Sequence, residues 1–196
     1  MYKITNAKTG ETTMVDKPWA EVSNMIQTTH RGWIAKKAGA DIQAQSGAKT
    51  FPVGIYCDSA QPGGPGNPTY IRVCDEKGND LLEDYLGKDK VSKFNGYTVY
   101  TRNGITNNFG ELLGLSWAFA IANNLANKEA RQVYTDSKVA ISWAINGVVP
   151  SQYKTDETFI KHLNKLHERQ QDYRLWDKLP LHISGAENPA DMGTHK

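Results

Sequence analysis

The sequence predicts an α/β domain, a mixed five-stranded sheet flanked by helices, with a small hairpin-plus-helix module at its N-terminus. Three observations carry this reading. Short β-rich runs bounded by Gly, Pro, Asn and Asp crowd into residues 53–86, the pattern of strands joined by turns. From residue 106 onward, apolar residues recur at helical spacing and the remaining strands come singly between helices, as in layered α/β folds. Four carboxylates, Asp58, Glu111, Asp136 and Asp191, each fall where a predicted strand ends or a predicted helix begins, so all four can point at one shared cleft.

Residues 1–35 read as the small module. Two short runs, 2–4 and 12–15, flank an Asn-Ala-Lys-Thr-Gly-Glu turn, a hairpin signature. A short helix follows, with Asp16 as N-cap, Pro18 in its first turn, and Trp19, Val22 and Ile26 on its apolar face with Met25 beside them. Residues 36–50 lack periodicity and read as a linker. His30, Arg31, Trp33, Lys36 and Lys37 are either a solvated helix end or a basic-aromatic nucleic-acid contact.

Residues 51–196 form the main domain. Strands are expected at 53–57, 69–74 and 81–86, an antiparallel meander. An irregular stretch through Gly96 and Gly104 leads to Thr106-Asn107-Asn108, which supply capping groups for a long helix carrying Leu112, Leu115, Phe119, Ala122 and Leu125. A strand at 131–135, a short helix at 138–145 and a helix at 155–173 follow, the last with Phe159, Leu163, Leu166 and Gln170 on one stripe. A last strand at 179–183 precedes a terminal helix opened by Asn188-Pro189.

Composition narrows the function classes. No stretch approaches the roughly 20 apolar residues of a membrane span, and the N-terminus has no apolar signal core, so a cytoplasmic monomer with no membrane partner is expected. Cys57 and Cys74 do not make a metal-binding spacing and read as buried thiols. The net charge of +2 argues against bulk electrostatic gripping of nucleic acid. Residues 1–50 carry a balance of +3 and residues 51–196 one of −1, so metal binding at the four carboxylates would leave the main domain formally positive.

Four carboxylates packed together raise one another's pKa values. Hard divalent cations relieve that repulsion, and magnesium sites of this kind are completed by phosphate and water. The acids lie in IYCDSA, TNNFGELLGL, VYTDSKVAISW and GAENPADMG. Together, in this order and on these elements, the four signatures resemble the ribonuclease H family over about residues 53–196. The TNNFGE, TDSKVAISW and ENPADMGTHK segments, and the lack of a Lys/Arg-rich loop between Gly147 and Leu163, are similar to the bacterial type 1 branch without a basic protrusion.

The resemblance implies hydrolysis of the RNA strand of RNA–DNA hybrids with two Mg2+ ions, for which Mn2+ can substitute, leaving 5′-phosphate and 3′-hydroxyl ends. Asp58 would bridge both ions, Glu111 and Asp136 would complete one, and Asp191 would bind the other beside the attacking water. The Gly-His-x-Gly pattern of the best-known type 1 enzymes is missing. The branch similar to this chain places a glutamate there, which makes Glu187 the candidate for product release or proton handling. The same resemblance places Gly64 and Gly66, within Gly63-Gly64-Pro65-Gly66, against the RNA ribose, where small residues permit close backbone approach. It assigns Asn107 and Lys138 to 2′-hydroxyl contacts, Thr106, Asn108 and Ser151 to a DNA-phosphate pocket, and Trp143 to the DNA sugar. Lys138 stands where that branch has glutamine, and a lysine donates but cannot accept. His182 reads as structural. The alternatives are a non-catalytic nucleic-acid-binding module and a DNA-acting recombination nuclease on the same fold.

Overall fold

The run Ile55–Ala60 is buried at every position, so both of its faces need cover and it can only be an interior strand. The computed structural model of this protein describes residues 2–6, 12–15, 33–37, 50–124 and 131–193. The chain divides into two units, Met1–Thr50 and Phe51–Lys196.

In the first unit, β1 (Tyr2–Asn6) pairs antiparallel with both β2 (Thr12–Val15) and β3 (Trp33–Lys37). The β1–β2 hairpin lies where the sequence places it. Trp33, Lys36 and Lys37 correct the helix-end reading, because all three belong to β3, and that strand runs two residues into the segment read as linker. Trp33 and Ile34 are strong strand formers, and β1 offers a partner at full register from Tyr2↔Lys37 to Asn6↔Trp33. The expected helix after Asp16, with Pro18, Trp19, Val22, Met25 and Ile26, lies outside the described residues, as do His30, Arg31 and residues 38–49 of the linker.

The second unit holds one sheet in the order β6-β7-β5-β4-β8-β9, with β4 at Ile55–Ala60, β5 at Thr69–Asp75, β6 at Ser92–Phe94, β7 at Tyr97–Arg102, β8 at Val133–Thr135 and β9 at Leu181–His182. Neighbours from β6 to β4 are antiparallel, while β4–β8 and β8–β9 are parallel. The sheet has six strands where the sequence reading expects five. The expected strand at 81–86 is instead a short helix, α1 (Leu82–Leu86), with Leu82 buried. Leu82, Tyr85 and Leu86 stand at helical spacing, which a period-two reading overlooks. The third strand of the meander is β7, preceded by β6 through Asn95-Gly96, both at positive φ. Asn-Gly between two strands is the signature of a two-residue hairpin turn.

Three longer helices complete the unit: α2 (Asn107–Asn124), α3 (Lys138–Asn146) and α4 (Glu157–Arg174). Ser137 caps α3 by accepting from the Ala140 amide, and Asp156 caps α4 by accepting from Phe159. One sheet face supplies Ile55, Cys57, Ile71 and Val73 to a core shared with Leu112, Leu115, Phe119, Phe159, Leu163 and Leu166 of the helices. Tyr173 closes that core, donating from its hydroxyl to the Arg131 carbonyl and accepting from the Val133 amide, both at 3.0 Å.

The opposite face is covered by the chain's last described segment, with Ala190 on Tyr56 and Cys74 and Met192 beside Ala60 and Val99. No helix follows Asn188 among the described residues, against expectation. Asn188 and Pro189 are spent on tertiary contacts, and only a single 3-10 turn, Gly185–Glu187, precedes them. Cys57 and Cys74 are buried free thiols, as expected. Among the described residues no helix is long and apolar enough to cross a membrane.

Candidate active site

Asp58 is the fourth residue of β4, opposed across the ladder by Arg72 of β5. Its neighbour Ser59, fully buried, reaches the helix layer: its amide donates to Glu111 Oε1 at 3.2 Å and its hydroxyl lies 2.9 Å from the same oxygen. These bonds hold the Glu111 carboxylate of α2 over the end of β4. The helix comes close enough because it presents glycine to the sheet. A Cβ at Gly110 would stand 2.6 Å from Thr69 Cγ2 and 2.9 Å from Ser59 Cβ. At its start, Thr106 accepts from the Phe109 amide through its hydroxyl, the capping role its residue type favours.

Asp136 enters from the turn after β8, where the Thr135 hydroxyl accepts the Ser137 amide. Asp58, Glu111 and Asp136 each offer an oxygen within 4.8 Å of the others. Asp58 Oδ2 and Glu111 Oε2 are buried without a hydrogen-bond partner. Burial, then the charges of Glu111, Asp136 and Asp191, push the Asp58 carboxyl up to about 9. Burial, then the charge of Asp136, pushes Glu111 up to about 8. Two orphaned carboxylate oxygens beside a third acid form an all-oxygen, acceptor-only donor set. That set suits a hard divalent cation, which satisfies the oxygens and reverses the repulsion.

Asp191 stands outside this trio. It is half-buried, its Oδ1 accepts the Gly193 amide at 2.9 Å, and its charge is felt at Asp58. Glu187 is exposed, its carboxylate held by the Ser184 hydroxyl at 2.9 Å. His182 donates from Nε2 to the Asp136 carbonyl at 3.1 Å, a scaffold role in keeping with its structural reading. Gly185 lies against Asp136, where a Cβ would sit 3.0 Å from Oδ2.

A cleft of about 500 Å³ opens beside Ser59, lined among others by Gly63, Gly64, Thr106, Asn107 and Asn108. Gly64 and Gly66 have φ of +81° and +92°, and a Cβ at either would meet no atom within 4 Å, so the turn is open to a ligand. Asn107 Oδ1 lies 3.0 Å from the Ser59 hydroxyl. Gly64, Thr106, Asn107 and Asn108 therefore share one cleft, while Gly66, Lys138, Trp143 and Ser151 are not part of its lining. Lys138 is exposed at the start of α3. Trp143 is half-buried, edge-on to Phe159 and Tyr153 with ring centroids at 5.3 and 6.3 Å, so the core contact and an open edge coexist. The Tyr153 hydroxyl meets Thr106 Oγ1 at 2.7 Å, and Ser151 opens the 3-10 turn that carries Tyr153. A larger cavity, about 690 Å³, lies between α2 and α4 around Trp117 and Arg169 and includes none of these residues.

Sequence reasoning missed Ser59, Arg72, Gly110 and Asn188. A serine following an aspartate within an apolar strand, and a glycine inside an apolar helix, were the available signals.

No protein-family model matches the sequence, and no curated protein matches it. Among solved structures, the chain is similar to LC11-RNase H1, isolated from compost by a metagenomic approach. The identity is 20%, the match covers 72% of this chain and 91% of that one, and the TM-score is 0.46. It is also similar to LC11-RNase H1 in complex with RNA/DNA hybrid, at 21% identity over 70% and 88% of the two chains, with a TM-score of 0.42. With an antiparallel meander continued by two parallel strands, and the acids gathered at the end of the central one, the second unit has a ribonuclease H-like fold.

Proposed function

We propose that the chain is a divalent-metal-dependent endoribonuclease that hydrolyses the RNA strand of RNA–DNA hybrids. The observation that carries this reading is the trio of Asp58, Glu111 and Asp136 with oxygens within 4.8 Å, Asp58 and Glu111 each keeping a buried oxygen without a partner, beside a cleft lined by glycines and asparagines. Asp58, Glu111 and Asp136 are the residues that would hold magnesium, with Asp191 as the fourth carboxylate. Bound there, magnesium supplies an activated water and stabilises the leaving 3′ oxygen.

The chain's own groups do the positioning. Ser59 fixes one Glu111 oxygen by amide and hydroxyl, leaving the other free for the cation. Gly64 and Gly66 let backbone approach a ribose, and the Asn107 side-chain amide can both donate to and accept from a 2′-hydroxyl, the group that separates RNA from DNA. Thr106 and Asn108, exposed at the start of α2, offer neutral donors to a phosphate, which suits a chain of net charge +2. Beyond that cleft, Lys138 is proposed to meet a 2′-hydroxyl of the RNA strand, and Ser151 and Trp143 to follow the DNA strand. Glu187, exposed and braced by Ser184, is proposed to handle protons or product; Glu187→Ala should slow steady-state turnover about 100-fold, the lower end of the span for a lost general acid–base group. A loss as deep as that of a ligand variant would make Glu187 a ligand instead.

Matched labelled duplexes test the reaction. RNA–DNA, RNA–RNA and DNA–DNA are incubated with magnesium and with EDTA. Cleavage of only the RNA strand of the hybrid, abolished by EDTA, is the expected result. Cutting of DNA would assign the chain to the recombination nucleases, and binding without cutting would make it a non-catalytic binder.

A further inference from the structure

Arg72 is the largest fully buried side chain of the described residues, 2% exposed, and it stands directly across the ladder from Asp58. Opposed residues share a sheet face, yet its guanidinium does not serve the carboxylate cluster. Nε donates to Asp80 Oδ1 at 2.7 Å, Nη2 to the Gly78 carbonyl at 2.8 Å, and Nη1 to the Pro189 carbonyl. The Tyr97 ring lies 3.9 Å from its Cζ. Asp80 is held in turn, since its second oxygen accepts the Thr98 amide.

A buried arginine costs desolvation that only full hydrogen bonding offsets. Here one of its bonds crosses 117 residues of chain to reach Pro189, two residues before Asp191. A second tether lies next to it, where Asn188, 5% exposed, donates from Nδ2 to the Cys57 carbonyl of β4 and accepts from the Ala190 amide. The segment 188–191 has no helix and no strand partner of its own. Its place over the sheet depends on these two side chains, on the packing of Ala190 and Met192, and on Asn95, whose Nδ2 donates to the Met192 carbonyl at 3.2 Å.

We propose that Arg72, with Asn188 as its second tether, is a positioning residue for Asp191, fixing that side-chain carboxylate at the distance from Asp58 that binding of divalent metal requires. This rests on the metal-dependent reading above. Arg72→Lys keeps the charge, but three rotatable donors on a flexible stem cannot match a planar fork that reaches three acceptors at once.

The experiment measures magnesium and manganese dependence two ways in wild type, Arg72→Lys and Asn188→Ala. One is the metal concentration giving half-maximal hybrid cleavage; the other is the melting temperature as a function of metal concentration, which needs no turnover. Both variants should need about 10–100-fold more metal in each assay, the span of lost ligand-orienting bonds, with hybrid affinity in EDTA unchanged. Asp191→Ala added to either variant should produce little further shift, because both act through that carboxylate. Lower melting temperatures with wild-type metal dependence would make the network purely structural and overturn the proposal. Should Arg72→Lys not fold, the Asn188→Ala titration decides alone. A wild type that shows metal-dependent melting but cleaves no hybrid would reject the proposed reaction, while the melting series still decides the role of Arg72.

Discussion

Asp58→Asn should abolish hybrid cleavage and, in EDTA, make the chain more stable. The two effects share one cause. Asp58 is buried with one oxygen unpartnered and its carboxyl pushed up to about 9 by burial and by Glu111, Asp136 and Asp191. An amide of the same shape is neutral without taking up a proton, offers Glu111 a donor, and is a poor ligand for a hard cation. Turnover should fall by more than about 10³-fold, equivalent to about 4 kcal/mol of transition-state stabilisation. Metal-free stability should rise by about 0.5–2 kcal/mol, the usual gain from relieving a functional site, or about 1–8 °C in Tm for a chain of this size.

The pH dependence follows with its sign. Unfolded carboxyls ionise near 4, whereas folded Asp58 and Glu111 ionise at about 9 and about 8. Between these limits the folded chain binds more protons than the unfolded one, so metal-free stability falls as pH rises from about 4 to about 9. Melting in EDTA across that range should show this slope in wild type, a shallower one in Asp58→Asn, and a reduced one in wild type with magnesium. Wild-type cleavage by the variant would remove Asp58 from the ligand set; a lower melting temperature in EDTA would refute the electrostatic account.

The acids were legible because each sits in a short segment with recognisable neighbours: Asp58 directly after the apolar run of a strand that continues through Ser59 and Ala60, Glu111 one turn into a capped helix, Asp136 between a strand and a Ser N-cap. Local periodicity also found α2, α3, α4, β4 and β5, whose apolar faces are long enough to show. It failed where tertiary context decides. Residues 81–86 are apolar in a way that fits strand or helix, and the Tyr85 and Gly87 amides bonded to the Leu81 and Glu83 carbonyls, with Leu82 in the core, settle it as a helix. The segment after Asn188 has a helix-opening Asn-Pro, but its polar groups are taken by residues more than 100 positions away. No window of sequence contains that information. Arg72 was invisible for the same reason: an arginine acquires meaning only from what it reaches.

Gly110→Ala should damage the site without touching a carboxylate. Two effects oppose each other. Alanine in a helix interior is favoured over glycine by about 0.8–1.0 kcal/mol, so propensity alone would stabilise α2. Packing acts the other way, since the new methyl would lie 2.6 Å from Thr69 Cγ2 and 2.9 Å from Ser59 Cβ and Oγ, all attached to buried strand residues with little room to yield. Overpacking of this kind costs about 1–3 kcal/mol, which outweighs the propensity gain over most of its range. Gly114, one turn on, provides the contrast: a methyl there meets Ile71 Cγ2 at 3.2 Å and Cys57 Cβ at 3.5 Å, contacts a small side-chain adjustment absorbs, so Gly114→Ala should be near neutral. Because Glu111 follows Gly110, lifting this turn off β4 also lengthens the Ser59–Glu111 bonds and separates Glu111 from Asp58. Gly110→Ala should therefore lower both Tm and kcat and raise the magnesium needed for half-maximal cleavage. Adding Thr69→Ser, which removes the nearer methyl and retains the hydroxyl that meets the Ile105 carbonyl, should restore part of each. If Gly110→Ala proves as stable and active as Gly114→Ala, the close approach of α2 to the sheet is not what sets the distance between Asp58 and Glu111.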